Sequence, residues 1–284
     1  MREPYSSSHR VVVGIDGSRS ARQAALWAVD EAMERDAPLR LVYAIDPSKS
    51  EPDKTAAELA IAEGAIRDAF AAIESTRKSV KMDAEVVRDR PIPALLKESY
   101  SATMVCVGST GLKHAVHGHI GSTASALVRS AHCSVAVVPV NAAPSPAGSV
   151  LAVVDESPAS SAVLDLAVRE ACLRGVPLRV LAVQPPQEDG MHDAVETAAA
   201  PARLERYLAP WRRRHPTADI QSITGHGGVV NCLEYLHRAA EPVQLLVSDP
   251  RHPGPTDILL GPSGRAALDA ARCTLLICDR RRWL

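Results

Sequence analysis

Apolar residues fall along this chain in two alternating rhythms. Short unbroken apolar runs are followed by longer stretches in which apolar positions return every three or four residues. The runs at residues 10–15, 39–45, 84–88, 104–107 and 135–138 predict strands, and the longer stretches at 20–35, 54–78, 92–100 and 122–131 predict helices. In 20–35 the inward face is built from Ala24, Trp27, Ala28 and Glu31-Ala32. The pattern then recurs, with strands predicted at 150–154, 178–184, 219–223, 243–247 and 273–278. Helices are predicted at 158–174, around 202–214, at 229–239 and at 264–271. Strands alternating with helices predict parallel βαβ units with right-handed crossovers.

The recurrence is a duplication at the level of residues. Asp16 falls on Asp155, Ser18 on Ser157, Ala32 on Ala171 and Arg35 on Arg174, a constant spacing of 139 with no gap. Pro38-Leu39-Arg40 falls likewise on Pro177-Leu178-Arg179. Near the ends of the copies, Ala131-His132-Cys133 answers Ala271-Arg272-Cys273. A period this long means two fused domains and not a solenoid. Residues 1–140 make the first domain, and the Pro-, Ala- and Ser-rich stretch 141–149 is the linker. Residues 150–284 make the second domain.

Composition narrows the class. Aromatic residues are 3% of the chain against 46% hydrophobic overall, so the core must be aliphatic, which suits parallel strands covered on both faces. The net charge is −1 with both signs interleaved, which argues against a nucleic-acid or anionic-membrane surface. Arg212-Arg213-Arg214 reads as a helix C-terminus, where cations are favoured. The six cysteines form no CxxC pair, and no apolar run is long enough to span a bilayer. A reduced, cytoplasmic protein with the cysteines as small core residues is the expectation.

Ligands of open doubly wound sheets bind beyond the carboxyl ends of the strands. In the first copy that edge carries Gly14-Ile15-Asp16-Gly17-Ser18, then Ala44-Ile45-Asp46, then Gly108-Ser109-Thr110-Gly111. After nine residues, Gly121-Ser122-Thr123 opens a helix. Gly108 and Gly111 let backbone approach a ligand, and a helix N-terminus attracts anions through its free N–H groups and its dipole. Without a Lys before Ser122 this is not a Walker A loop. The same residues also serve as ordinary turn and cap residues. Asp16 has two readings of its own. It caps the following helix, a role open equally to Ser18 and Ser20, or it accepts hydrogen bonds from ribose hydroxyls. His114, His117 and His119 lie inside the loop, but zinc needs three or four ligands and no carboxylate or thiol accompanies them. They are expected to be exposed, near a γ-phosphate or Mg²⁺.

The opening VVVGIDGS, the LVYAID second strand and the Gly108-x-x-Gly111-nine-Gly121-Ser122 spacing resemble the universal stress protein family, and the tandem arrangement is similar to its actinobacterial members. The resemblance covers nearly the whole chain. It implies a flavodoxin-like, five-stranded parallel sheet of order 3-2-1-4-5 in each domain, and homodimers that pair last strands. It implies ATP, with Mg²⁺, as the cofactor of the first domain. Gly14 and Asp16 would lie at the nucleotide, Asp16 on the ribose, and Ala44 would offer backbone to the adenine. Gly108, Gly111, Gly121, Ser122 and Thr123 would hold the phosphates. The implied role is a nucleotide-dependent regulator of stress or dormancy.

The second copy departs from this pattern. Ser248, Arg251 and Pro262 stand where the first has Gly108, Gly111 and Ser122. Pro262 has no N–H to offer, Asp249 would set a carboxylate near phosphate, and Pro250, Pro253 and Pro255 should stiffen the loop 249–260. That copy is expected to bind nucleotide weakly or not at all. Two other functions stay open: a weak ATPase or phosphotransferase, for which the loop lacks an evident carboxylate base, and an interaction protein that makes no use of nucleotide.

Overall fold

The computed structural model describes residues 9–48, 55–111, 120–142, 148–155, 160–183, 194–223, 228–250 and 254–279. Its chain divides between Ala142 and Ala143 into two compact units.

The first unit runs β1 (Arg10–Ile15), α1 (Arg19–Glu34), β2 (Leu39–Ala44), α2 (Thr55–Ser75), β3 (Met82–Val87), α3 (Pro91–Ser99), β4 (Ala102–Gly108), α4 (Ser122–Ser130) and β5 (Ser134–Val138). All pairings are parallel, and the strand order is β3-β2-β1-β4-β5. The order follows from burial. Val11, Val12 and Val13 of β1 and Met104, Val105 and Cys106 of β4 are fully buried, so these strands need cover on both faces and take the middle. In β3, Asp83 is exposed and Glu85 half-buried, and a charged strand of this kind protects an edge. The helix α1 buries Ala24, Ala25, Ala28 and Ala32, whose small side chains let it approach the sheet closely. The Glu31 carboxylate on that face is also fully buried, and it is paired with Arg35 one turn along. Burying a charge is costly unless it is paired.

The second unit repeats the plan: β6 (Ser149–Val154), α5 (Ser160–Arg174), β7 (Leu178–Ala182), α6 (Ala194–Arg214), β8 (Ile220–Ile223), α7 (Val229–Arg238), β9 (Val243–Ser248), α8 (Pro255–Leu260), α9 (Pro262–Ala271) and β10 (Thr274–Ile277). Its strands pair in parallel in the order β8-β7-β6-β9-β10, the same arrangement as the first unit. The buried ion pair is duplicated as Glu170 with Arg174. The predicted flavodoxin-like sheet of order 3-2-1-4-5 is therefore present twice.

Three expectations are corrected. The stretch read as a proline-stiffened loop holds the helix α8, because Pro255 occupies its first turn, where a missing N–H costs nothing. The helix α6 starts at Ala194, well before residue 202, and runs with Pro201 and Pro210 inside it. Five cysteines are buried as expected, but Cys172 is exposed on α5. The other predicted helix end holds: Arg212, Arg213 and Arg214 form the last turn of α6.

Candidate functional site

The strand order reverses between β1 and β4, which are paired neighbours, so the turns leaving these two strands meet at the carboxyl edge of the sheet. After β1, Gly17 adopts a left-handed φ of 82° that turns the chain into α1. Ser18 is the N-cap: its Oγ accepts from the Ala21 N–H at 3.1 Å. Asp16 is not the cap. Its Oδ1 accepts from the Ser18 N–H at 2.9 Å and so fixes the capping residue.

The turn after β4 is fastened to this one. Thr110 O accepts from Ser20 Oγ, and from Ser18 Oγ at 3.4 Å. The Ser109 N–H donates to Val138 O of β5 at 2.8 Å, and Ser109 O accepts from the Gly121 N–H at 2.9 Å. That last bond closes the two ends of the intervening loop on each other. Residues 112–119 lie outside the described residues, and with them His114, His117 and His119.

The glycines separate into two kinds. A Cβ on Gly108 would lie 2.6 Å from Ser20 C and 2.7 Å from Ala21 N, so its bare Cα admits the first turn of α1. A Cβ on Gly14 would lie 2.8 Å from Leu95 Cδ1, so Gly14 makes room for α3. These two face the protein's own chain. At Gly111 a Cβ would come within 3.0 Å of Asp16 Oδ2, and at Gly121 the nearest neighbour would be Ser109 O at 3.5 Å, with Gly111 N at 3.8 Å. Asp16, Gly111 and Gly121 are thus gathered at one point. There α4 begins without a side-chain cap, its first intrahelical bond being Ser125 N–H to Gly121 O. The N–H groups of Ser122 and Thr123 precede that bond. Ser122 is exposed and Thr123 half-buried. Ala44 sits at the end of β2, in register with Val87.

Sequence reasoning offered Ser20 only as a helix cap and did not name Tyr43. Ser20 knits the β1 and β4 turns through Thr110, and the spacing Ser18-x-Ser20 was its only signal. Tyr43, beside Ala44, carries a phenol whose pKa is raised by burial and then by the charges of Asp16 and Glu58.

The second unit's corresponding edge is built differently. Ser160 Oγ donates to Asp155 O at 2.7 Å and lies 2.9 Å from Asp155 Oδ1, which ties that carboxylate into its own turn. Gly261 ends α8 and starts α9, and its N–H donates to Asp257 O and Ile258 O, both at 3.2 Å. A Cβ on Gly264 would lie 2.3 Å from Ile258 O and 2.4 Å from Leu259 Cα. The last turn of α8, with its carbonyls, is therefore pressed against the first turn of α9; the residues at the same place before α4 in the first unit, 112–119, lie outside the described residues. Asp249 is 2% exposed. Arg251 lies outside the described residues.

Among the described residues no group of three or more His, Cys, Asp or Glu is placed to hold a metal ion. Among them also, no helix is long and apolar enough to cross a membrane.

Fold and edge together define the class: a tandem of doubly wound, flavodoxin-like α/β units. The model of the universal stress protein family matches this chain twice, over residues 7–139 and 147–279. The chain is 40% identical to the Mycobacterium tuberculosis universal stress protein Rv2028c over 284 residues, covering 97% of this chain and 99% of that one. It is 45% identical to Rv3134c from the same organism over 242 residues, 84% of this chain and 87% of that one. In fold it is similar to the crystal structure of a universal stress protein from Archaeoglobus fulgidus, with a TM-score of 0.69 over 96% of this chain and 97% of that one at 15% identity. The chain belongs to the universal stress protein family.

Proposed function

We propose that the first unit binds ATP at the β1/β4 edge, and that the chain is a nucleotide-dependent regulator of a stress or dormancy response in the cytoplasm. The carrying observation is the gathering of Asp16, Gly111 and Gly121 around the uncapped first turn of α4. In this reading Asp16 would accept from the ribose and Ala44 would meet the adenine with its backbone. The N–H groups and hydroxyls of Ser122 and Thr123 would take the phosphates, with Gly111 keeping the approach clear. Gly14 and Gly108 act from behind, by letting α3 and α1 pack against the strands. The Gly121 N–H is already given to Ser109 O, so Gly121 contributes by shape and not as a donor. Mg²⁺ takes oxygen ligands and keeps several waters, so phosphate oxygens and the hydroxyls here suit it without a dedicated protein cage.

In the second unit the covering of α9 by α8 favours a domain without nucleotide, given over to packing, dimer formation or partner recognition. Rapid phosphoryl transfer is not expected, because it needs a positioned base and Asp16 is engaged in its own turn. A turnover assay against Asp16→Ala tests that point.

Calorimetric titration of ATP with Mg²⁺ into the full chain, beside Gly121→Asp, tests the reading. One site per chain, lost in the variant, is the expected result. Two sites would overturn the silent second unit, and no binding at millimolar ATP would overturn the nucleotide reading.

A further inference from the structure

The first unit contains a cavity of about 350 Å³ that shares Gly17 and Ser18 with the β1 turn but is lined by none of Asp16, Gly111, Gly121 and Ser122. It lies between the first turn of α1 and the middle of α2, lined by Ser18, Arg19 and Arg22 on one side and Ala65, Asp68 and Ala69 on the other. Its size is at the low end of small-molecule sites, which run from about 300 to 1,000 Å³. Arg19 and Arg22 are exposed, stand one turn apart on the same face of α1, and pair with no other described residue. Arg is the residue suited to bidentate recognition of phosphate. The two guanidiniums also stand at the positive end of a 16-residue helix. Asp68 opposes them, which leaves the lining with net positive charge.

The second unit serves as an internal control, because α6 follows α2 at the same spacing of 139 residues. There Leu204 and Leu208 replace Ala65 and Ala69, and both leucines are buried, at 5% and 0% exposure. Tyr207 replaces Asp68 and lies half-buried near Ser161. Pro158 and Ser161 stand in place of Arg19 and Arg22. Two buried leucines thus stand where the first unit has alanines, and neither cation has a counterpart in the sequence. A cavity kept only for packing economy would have no reason to carry arginines in the copy with alanines and to lack them in the copy with leucines.

We propose that this cavity is a second anion site of the first unit, taking a small ligand with one or two phosphate groups held by Arg19 and Arg22. Charge-assisted bonds of this kind change affinity by about tenfold or more apiece.

The test uses inorganic pyrophosphate, titrated calorimetrically without Mg²⁺ into full-length Gly121→Asp, where the α4 edge is disabled. Binding is expected to persist there. It should weaken at least about tenfold in the added Arg22→Ser, an exposed change that leaves packing intact, and likewise in Ala65→Leu/Ala69→Leu. Asp68→Asn should tighten it several-fold by removing a like charge. Absence of pyrophosphate binding in the Gly121→Asp chain overturns the proposal, as does binding that ignores Arg22→Ser. Failure of the ATP reading shows separately, in the ATP titration of the chain with Gly121 intact.

Discussion

Replacing Gly108 by Ala tests whether this glycine serves packing or a ligand. The new Cβ would lie 2.4 Å from Ser20 Oγ, 2.6 Å from Ser20 C and 2.7 Å from Ala21 N. The hydroxyl can rotate away, but the two backbone atoms cannot. The first turn of α1 would have to retreat by close to an ångström, against the Ser18 cap and the Ser20 bond to Thr110 O that hold it. Overpacking of this kind costs about 1–3 kcal/mol. Restricting the unfolded chain returns about 0.4–1 kcal/mol, which leaves a net loss of about 1–2 kcal/mol. Hydrogen exchange followed by mass spectrometry reads this locally, so a two-unit chain need not unfold in one step. The slowest amides of β1, β4 and α1 should exchange about 5- to 30-fold faster. Gly121→Ala is the control. Its Cβ would meet nothing nearer than 3.5 Å, so exchange should stay within the effect of about 0.5 kcal/mol. Unchanged exchange in Gly108→Ala together with lost ATP binding would refute the packing role and make Gly108 a ligand contact.

Three further outcomes follow from the geometry. Ser18→Ala removes the α1 cap and should cost about 1 kcal/mol, seen as faster exchange confined to the first turn of α1 and the Asp16 turn. Alkylation at pH 8 should mark the exposed Cys172 first; burial pushes the Cys232 thiol up to about 11, so only about one Cys232 in a thousand is thiolate, and fast labelling there would contradict its burial. Glu205 is held at about 2 by hydrogen bonds from Arg212 and then Ser222. A depressed carboxylate stabilises above its unfolded pKa of about 4.3 and loses that contribution as pH falls toward 2. The pair is exposed, so the gap between the unmodified chain and Glu205→Gln should be about 0.2–1 kcal/mol at pH 6 and should close over that window in thermal melts; a gap constant with pH would refute the pairing.

Much of the architecture was written in the linear pattern. Apolar runs such as Val11-Val12-Val13 announced strands buried on both faces, the constant spacing from Asp16 to Asp155 announced two copies, and helical periodicity located α1 and α4. These are local or repeated properties, and a single chain displays them without reference to contacts. What escaped were elements whose signal is ambiguous along the chain. Pro255 read as stiffening a loop, and the helix after Pro262 was read only from residue 264, yet each proline begins a helix, because a proline at the first position forfeits no bond. The seven residues of α6 before residue 201 were missed because Pro201 looked like a terminus.

The site divides in the same way. The sequence by itself determined which residues reach the carboxyl edge, since strand order and turn positions follow from the pattern: Asp16, Ala44, Gly111, Gly121, Ser122 and Thr123. Only the tertiary structure decided what each does there. It made Ser18 the cap and Asp16 its brace, turned Gly14 and Gly108 toward α3 and α1, used the Gly121 N–H to close the loop, and covered α9 with α8. It also showed Arg19 and Arg22 across a cavity from two alanines whose counterparts in the other copy are leucines. The physical reason is that a motif specifies residue types and intervals, whereas the use of a hydrogen or the need for a bare Cα depends on which backbone passes within 3 Å, and the neighbouring backbone belongs to a distant part of the chain.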